Sequence, residues 1–223
     1  MSARRAALLC GAGLSLLLAT AAWSGNGRIG LFFDPGGQKC ADAIPCTGFG
    51  QLYVYAMLEG ASRDGITGAE YSIQIGPDAH SDPGWVFHEE FPEDAVALGK
   101  AFFPLDIDTH QFPYNPGRGV NIAFPTCQRG EGQMVLLETA TVANNSCSTA
   151  PLPLLVVLHD NPSNGYFACL LFTLCDSPTY TKLCLGRSSG QAVINPGPGQ
   201  TAPCPGVAVT PVTWSAVKEM FRR

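Results

Sequence analysis

Apolar residues along this chain come in short runs separated by glycine and proline, a punctuation that predicts many strands joined by turns and argues against long helices. In the stretch 68–75, Tyr71, Ile73 and Ile75 alternate with Ser72 and Gln74, the period of two expected of a half-buried strand. Comparable runs at 27–33, 50–58, 85–91, 96–103, 120–124, 133–142, 152–159, 179–185 and 191–194 are read as further strands. The run 152–158 is apolar on both faces and is expected to lie centrally. Nine or ten strands with frequent turns predict an all-β fold, an antiparallel β-sandwich with a barrel as the alternative. No fixed-period repeat is visible, which argues against a solenoid or propeller.

Both ends depart from this pattern. Arg4 and Arg5 precede an uncharged run, 6–22, rich in leucine and closing on Ala19-Thr20-Ala21. A basic start, a short apolar core and a small-residue end describe a cleavable secretory signal. The run is shorter than the roughly 20 apolar residues of a spanning helix. Cys10 stands at its beginning rather than its end, which argues against lipid attachment. No second apolar stretch approaches spanning length, so no membrane span is expected in the mature chain. At the other end, Trp214, Val217 and Phe221 fall on one helical face, and Thr213 suits an N-cap, so 213–223 is read as a short C-terminal amphipathic helix. The expected organisation is 1–22 signal peptide, 23–212 β-sandwich (one domain or two small sandwiches) and 213–223 helix.

Removing the leader leaves eight cysteines, Cys40, Cys46, Cys127, Cys147, Cys169, Cys175, Cys184 and Cys204. An even set in an exported chain favours disulfides. Structural zinc wants closely spaced cysteine pairs, and none occurs here. Five residues separate Cys40 from Cys46, and five separate Cys169 from Cys175, which suits small loop closures or bridges to a neighbouring strand. Local pairings Cys40–Cys46 and Cys127–Cys147 are the expectation. The formal net charge of −5 becomes more acidic without Arg4 and Arg5. With no basic stripe apart from Lys218, Arg222 and Arg223, nucleic acid is a poor partner.

The segments Ile29-Gly30-Leu31-Phe32-Phe33-Asp34, Asn121-Ile122-Ala123-Phe124-Pro125, Leu174-Cys175-Asp176 and Thr213-Trp214-Ser215 with Lys218 resemble a set of exported bacterial proteins of uncharacterised activity. Those begin after the signal with a Gly-Leu-Phe-Phe-Asp-like strand and end in a Trp-containing helix. The resemblance spans most of the mature chain and implies an immunoglobulin-like sandwich. It implies no activity.

Candidate chemistry is sparse. Gly186-Arg187-Ser188-Ser189-Gly190 matches the spacing of a nucleophile elbow, but a strand-like run follows it and His80, His88, His110 and His159 all lie upstream. A hairpin turn between strands explains it better. His88-Glu89-Glu90 lacks the second histidine of a zinc protease and precedes Pro92, so it is read as a strand with exposed polar positions. Asp106, Asp108 and His110 alternate and so share a face, a candidate metal set for calcium or, through His110, a transition metal. The loop 159–165 is read as a turn. Asn144-Asn145-Ser146 fits a glycosylation sequon. Tyr53, Tyr55, Tyr71, Trp85, Phe87, Tyr114, Tyr166 and Phe167 are read mainly as core or half-buried residues, with sugar stacking or a protein interface as the functional alternative.

No catalytic residue and no organic cofactor emerge. The expected function is a secreted or periplasmic, non-enzymatic binding or structural-interaction module, with protein or carbohydrate at the cell surface as partner. The alternatives are a carbohydrate-active hydrolase using Glu89, Glu90 or Asp106, and a metal-stabilised adhesin-like domain.

Overall fold

The computed structural model describes residues 26–76, 84–104, 119–130, 132–158, 169–185, 188–198 and 204. Through them run the strands β1 (Arg28–Phe32), β2 (Ala41–Asp42), β3 (Phe49–Met57), β4 (Ile66–Ile75), β5 (Trp85–Glu90), β6 (Val96–Lys100), β7 (Phe102–Pro104), β8 (Gly119–Gln128), β9 (Met134–Asn144), β10 (Leu152–Val157), β11 (Leu171–Leu174), β12 (Lys182–Cys184) and β13 (Ser188–Ile194). A single 3₁₀ turn, Gly60–Ser62, joins β3 to β4. The leader 1–22 and the segment 213–223 lie outside the described residues.

The strands form two sheets. The first, in the order β1-β3-β9-β5, is antiparallel throughout. The second is organised by β4, whose first half pairs with β11 and β8 and whose second half pairs with β10 and β7. From there β12 extends β11, β6 extends β8, and β13 and β2 extend β10. The all-β two-sheet sandwich expected from the sequence is therefore present. Two pairings are parallel, β4 with β7 and β13 with β2, where the sequence predicted an antiparallel fold.

Alternation places the core. Leu52, Val54 and Ala56 of β3 and Leu137, Ala140 and Val142 of β9 are fully buried and join one cluster with Ala69, Tyr71, Ile73 and Ile75 of β4. Burying each large aliphatic side chain contributes roughly 1.5–3 kcal/mol, so these facing rows hold the sheets together. A bulge in the β3–β9 pairing, at Val54/Tyr55, lets consecutive residues Leu137 and Glu138 both turn from solvent. Along another side, β13 approaches β1 so closely that a Cβ on Gly190 would stand 2.7 Å from the Ile29 carbonyl oxygen. Only glycine fits there.

Several expectations are corrected. The single strand expected at 96–103 is two: β6 stays paired with β8 through Lys100, and after Ala101 the chain passes to β4 as β7. Cys40 pairs with Cys204 and Cys46 with Cys147, Cys127 with Cys175, and Cys169 with Cys184. The local closures Cys40–Cys46 and Cys127–Cys147 are not formed. Register explains the difference: Cys46 precedes β3 and Cys147 follows β9, and Phe49 of β3 pairs with Ala143 of β9. The Cys127–Cys175 bridge joins the ends of β8 and β11, which flank β4 on its two edges, and crosses over Gly65. A Cβ on Gly65, whose φ is +113°, would lie 2.6 Å from the Cys127 sulfur.

A candidate binding groove on the outer face of the second sheet

Sheet register lines up two rows of side chains on the face of the second sheet turned away from the core. One row reads Lys182, Thr173, Gly68, Ala123 and Val96 across β12, β11, β4, β8 and β6. The next reads Cys184, Leu171, Glu70, Asn121 and Leu98 across the same strands. The middle of the first row is nearly bare, since Gly68 and Ala123 carry little or no side chain. Bulk on both sides then makes a trough of about 620 Å³ lined by residues of both rows together with Tyr180.

Its two walls differ in chemistry. Val96 and Leu98 point outward from β6 and are 62% and 67% exposed, while Ala97 between them packs on the core. The opposite wall is polar: Lys182 Nζ lies 3.7 Å from Glu70 Oε1, with the Glu70 carboxylate almost covered. The Asn121 Oδ1 in the floor is buried and has no hydrogen-bond partner among the described residues. Tyr180 stands at the rim, 49% exposed. It is presented by a tight turn in which the Tyr180 N–H donates to the Asp176 carbonyl at 3.2 Å. The Thr181 N–H donates to Asp176 Oδ1 at 2.7 Å, and the Thr181 hydroxyl donates to Oδ2. These bonds from Thr181 hold the Asp176 carboxyl below its ordinary range, so the turn carries a fixed negative charge.

The residues singled out by sequence distribute elsewhere. Asp106, Asp108 and His110 lie outside the described residues, as do the loop 159–165, Tyr114, Tyr166 and Phe167. Among the described residues no three His, Cys, Asp or Glu side chains gather as a metal site, and no helix is long and apolar enough to cross a membrane. Glu89 and Glu90 are adjacent on β5 and therefore point to opposite faces. Glu89 turns inward and accepts hydrogen bonds from the N–H groups of Ala101 and Phe102 at 3.1 and 3.2 Å. Glu90 stays in solvent beside His88, at 3.7 Å. The two do not face each other across a groove.

Ser188 to Gly190 belong to β13, which pairs with β10 and not with β12. They are part of a strand rather than the turn of a hairpin, and Gly186 and Arg187 lie outside the described residues. Asn144 is 1% exposed, and its Nδ2 donates to the carbonyls of Ile44 and Ser148 at 3.0 and 2.9 Å. That amide is structural, and the sequon is closed to a glycan in the folded domain. Tyr71 and Tyr55 are buried, and Phe87 stacks on Phe102 with centroids 4.9 Å apart, as the core reading expected. Among the described residues the exposed aromatics are instead Phe49 and Tyr180, neither of which was among the aromatics picked out from the sequence.

No family model matches the sequence, and no curated protein matches it. Solved structures of similar shape include cohesin modules. One is the cohesin module of a family 33 glycoside hydrolase from Clostridium perfringens, at 13% identity and a TM-score of 0.45, covering 76% of this chain and 96% of that one. Another is the sixth cohesin of scaffoldin B from Acetivibrio cellulolyticus, solved with a Cel5 dockerin, at 9% identity and a TM-score of 0.43, covering 76% and 98%. A third is the seventh ScaB type I cohesin of Pseudobacteroides cellulosolvens, at 8% identity and a TM-score of 0.41, covering 80% and 96%. At such scores no residue role passes from these modules to this chain.

Proposed function

We propose that this chain is an exported interaction module that holds a segment of a partner protein in the groove between Val96/Leu98 and Lys182/Tyr180. The observation that carries the reading is the exposed aliphatic pair of β6 beside a floor of glycine and alanine. Two large aliphatic side chains in solvent forgo the favourable transfer of their surface out of water. Their complement is another apolar side chain, since neither offers a ring face on which a sugar could stack. The bare floor lets a partner backbone approach, and the Glu70–Lys182 pair with Asn121 supplies polar groups to fix its orientation. Pairing of all eight cysteines outside the leader supports export to an oxidising compartment, with 1–22 as the signal removed on the way.

A displayed library of random peptides, panned on the folded domain and counter-selected on Leu98→Asp, tests the reading. Peptides retained by the wild type and weakened at least about tenfold by Leu98→Asp support it. Peptides that bind both proteins equally, or no enrichment, contradict it. Oligosaccharide binding abolished by Tyr180→Ala would replace the protein partner with a carbohydrate.

A further inference from the structure

The interior holds an unusual polar group. Glu138 of β9 is fully buried in the apolar core between the sheets. Its Oε2 accepts a hydrogen bond from the Tyr71 hydroxyl at 2.8 Å. Its Oε1 is buried with no partner among the described residues. The neighbouring strand supplies a second carboxyl, because Glu89 of β5 pairs with Ala140, two residues along the same face from Glu138. Diagonal neighbours of this kind are within reach of each other's long side chains. From β3, the residue opposite Glu138 is apolar Val54. Among the described residues the titratable groups acting on Glu138 are thus Tyr71 and Glu89, and no cation faces it.

The two carboxyls are unequally supported. Burial raises the Glu89 carboxyl above its ordinary range, but Glu89 is only partly covered, and the N–H groups of Phe102 and Ala101, with Lys100 and His88 nearby, oppose that rise. Glu138 has one neutral hydroxyl. A buried charge without a cation or several donors is strongly disfavoured, so of the two sites the proton belongs on Glu138.

We propose that buried Glu138 and partly covered Glu89 form an acid–carboxylate pair, with Glu138 protonated at neutral pH, and that the pair makes the sandwich hold together more firmly in acid than in alkaline surroundings. Burial first, and then Glu89, raise the Glu138 carboxyl well above its ordinary range. The folded chain then binds a proton that the unfolded chain has already lost. That contribution is complete below the ordinary glutamate range and is lost as pH rises through the folded-state value. Releasing the proton would place a second negative charge diagonally across from Glu89, the residue of β5 that ties down Ala101 and Phe102 at the start of β7. The inference concerns the core and is independent of what occupies the groove.

Two readouts on the full chain test it. Infrared difference spectra between wild type and Glu138→Gln at neutral pH should show the carbonyl stretch of a protonated carboxylic acid in the wild type alone. The wild-type melting temperature should fall by at least about 3 °C between about pH 5 and about pH 8, and the fall should be smaller in Glu138→Gln. Should Glu138→Gln not fold, Glu89→Gln serves: removing the neighbouring charge should shrink the pH dependence. An absent protonated-acid band, or a pH dependence unchanged in both variants, would overturn the proposal.

Discussion

The outer faces of the two sheets carry similar residues and meet different fates. On the first sheet Phe32, Tyr53, Tyr55, Met57, Met134 and Leu136 point away from the main core, yet they form a second, smaller core with Cys40 and Cys204. Its roof is the segment leaving β1. The Asp34 carboxylate accepts the N–H groups of Gln38 and Lys39, the Tyr55 hydroxyl donates to the Pro35 carbonyl at 3.0 Å, and Cys40–Cys204 pins the roof from a distance of 164 residues in sequence. On the second sheet Val96 and Leu98 meet no such cover among the described residues. Outward apolar residues are thus not in themselves a binding surface. On the reading proposed above, they become one where the chain's own loops leave them open and a floor of small residues makes room beside them.

The largest effect should come from emptying the roofed face. Phe32→Ala removes a fully buried ring and should cost about 3–5 kcal/mol of stability, read from the denaturant midpoint. Unpinning the roof with Cys40→Ser and Cys204→Ser together should cost about 2–4 kcal/mol, and the lost stability should come with protease cleavage between 33 and 40. On the open face the effects on folding should be small. Lys182→Ala removes the ammonium group 3.7 Å from the nearly covered Glu70 carboxylate and should cost about 1 kcal/mol. Leu98→Asp should leave stability within about 0.5 kcal/mol of wild type while weakening selected peptides about tenfold. A Leu98→Asp variant as damaged as Phe32→Ala would mean that the open face is core after all.

The strands were largely legible because alternation with a buried face leaves a period of two, as in β3, β4, β5 and β9. What escaped was short or depended on partners distant in sequence. The four residues of β11, three apolar and one threonine, lie between two cysteines and are too few to show a period, and β2 has two residues. The disulfides follow pairing between remote strands, so spacing suggested closures that register forbids. The groove was illegible for a related reason. Val96, Ala97 and Leu98 read as an ordinary half-buried strand, and nothing in the sequence says that Gly68 and Ala123 stand beside Val96 in one row. Glu89 and Glu138, 49 positions apart, gave no signal of meeting; the bulge that turns Glu138 inward is a property of the β3–β9 register.

The proposed seat of the partner is the open face of the second sheet. Amide chemical shifts of the isotope-labelled domain, followed as a selected peptide is added, test it most directly. Shifts concentrated at Gly68, Val96, Leu98, Ala123 and Thr173, with the roofed face silent, are the expected result. Shifts centred instead on Phe49 and Val86, the exposed apolar pair at the far end of the first sheet, would contradict it.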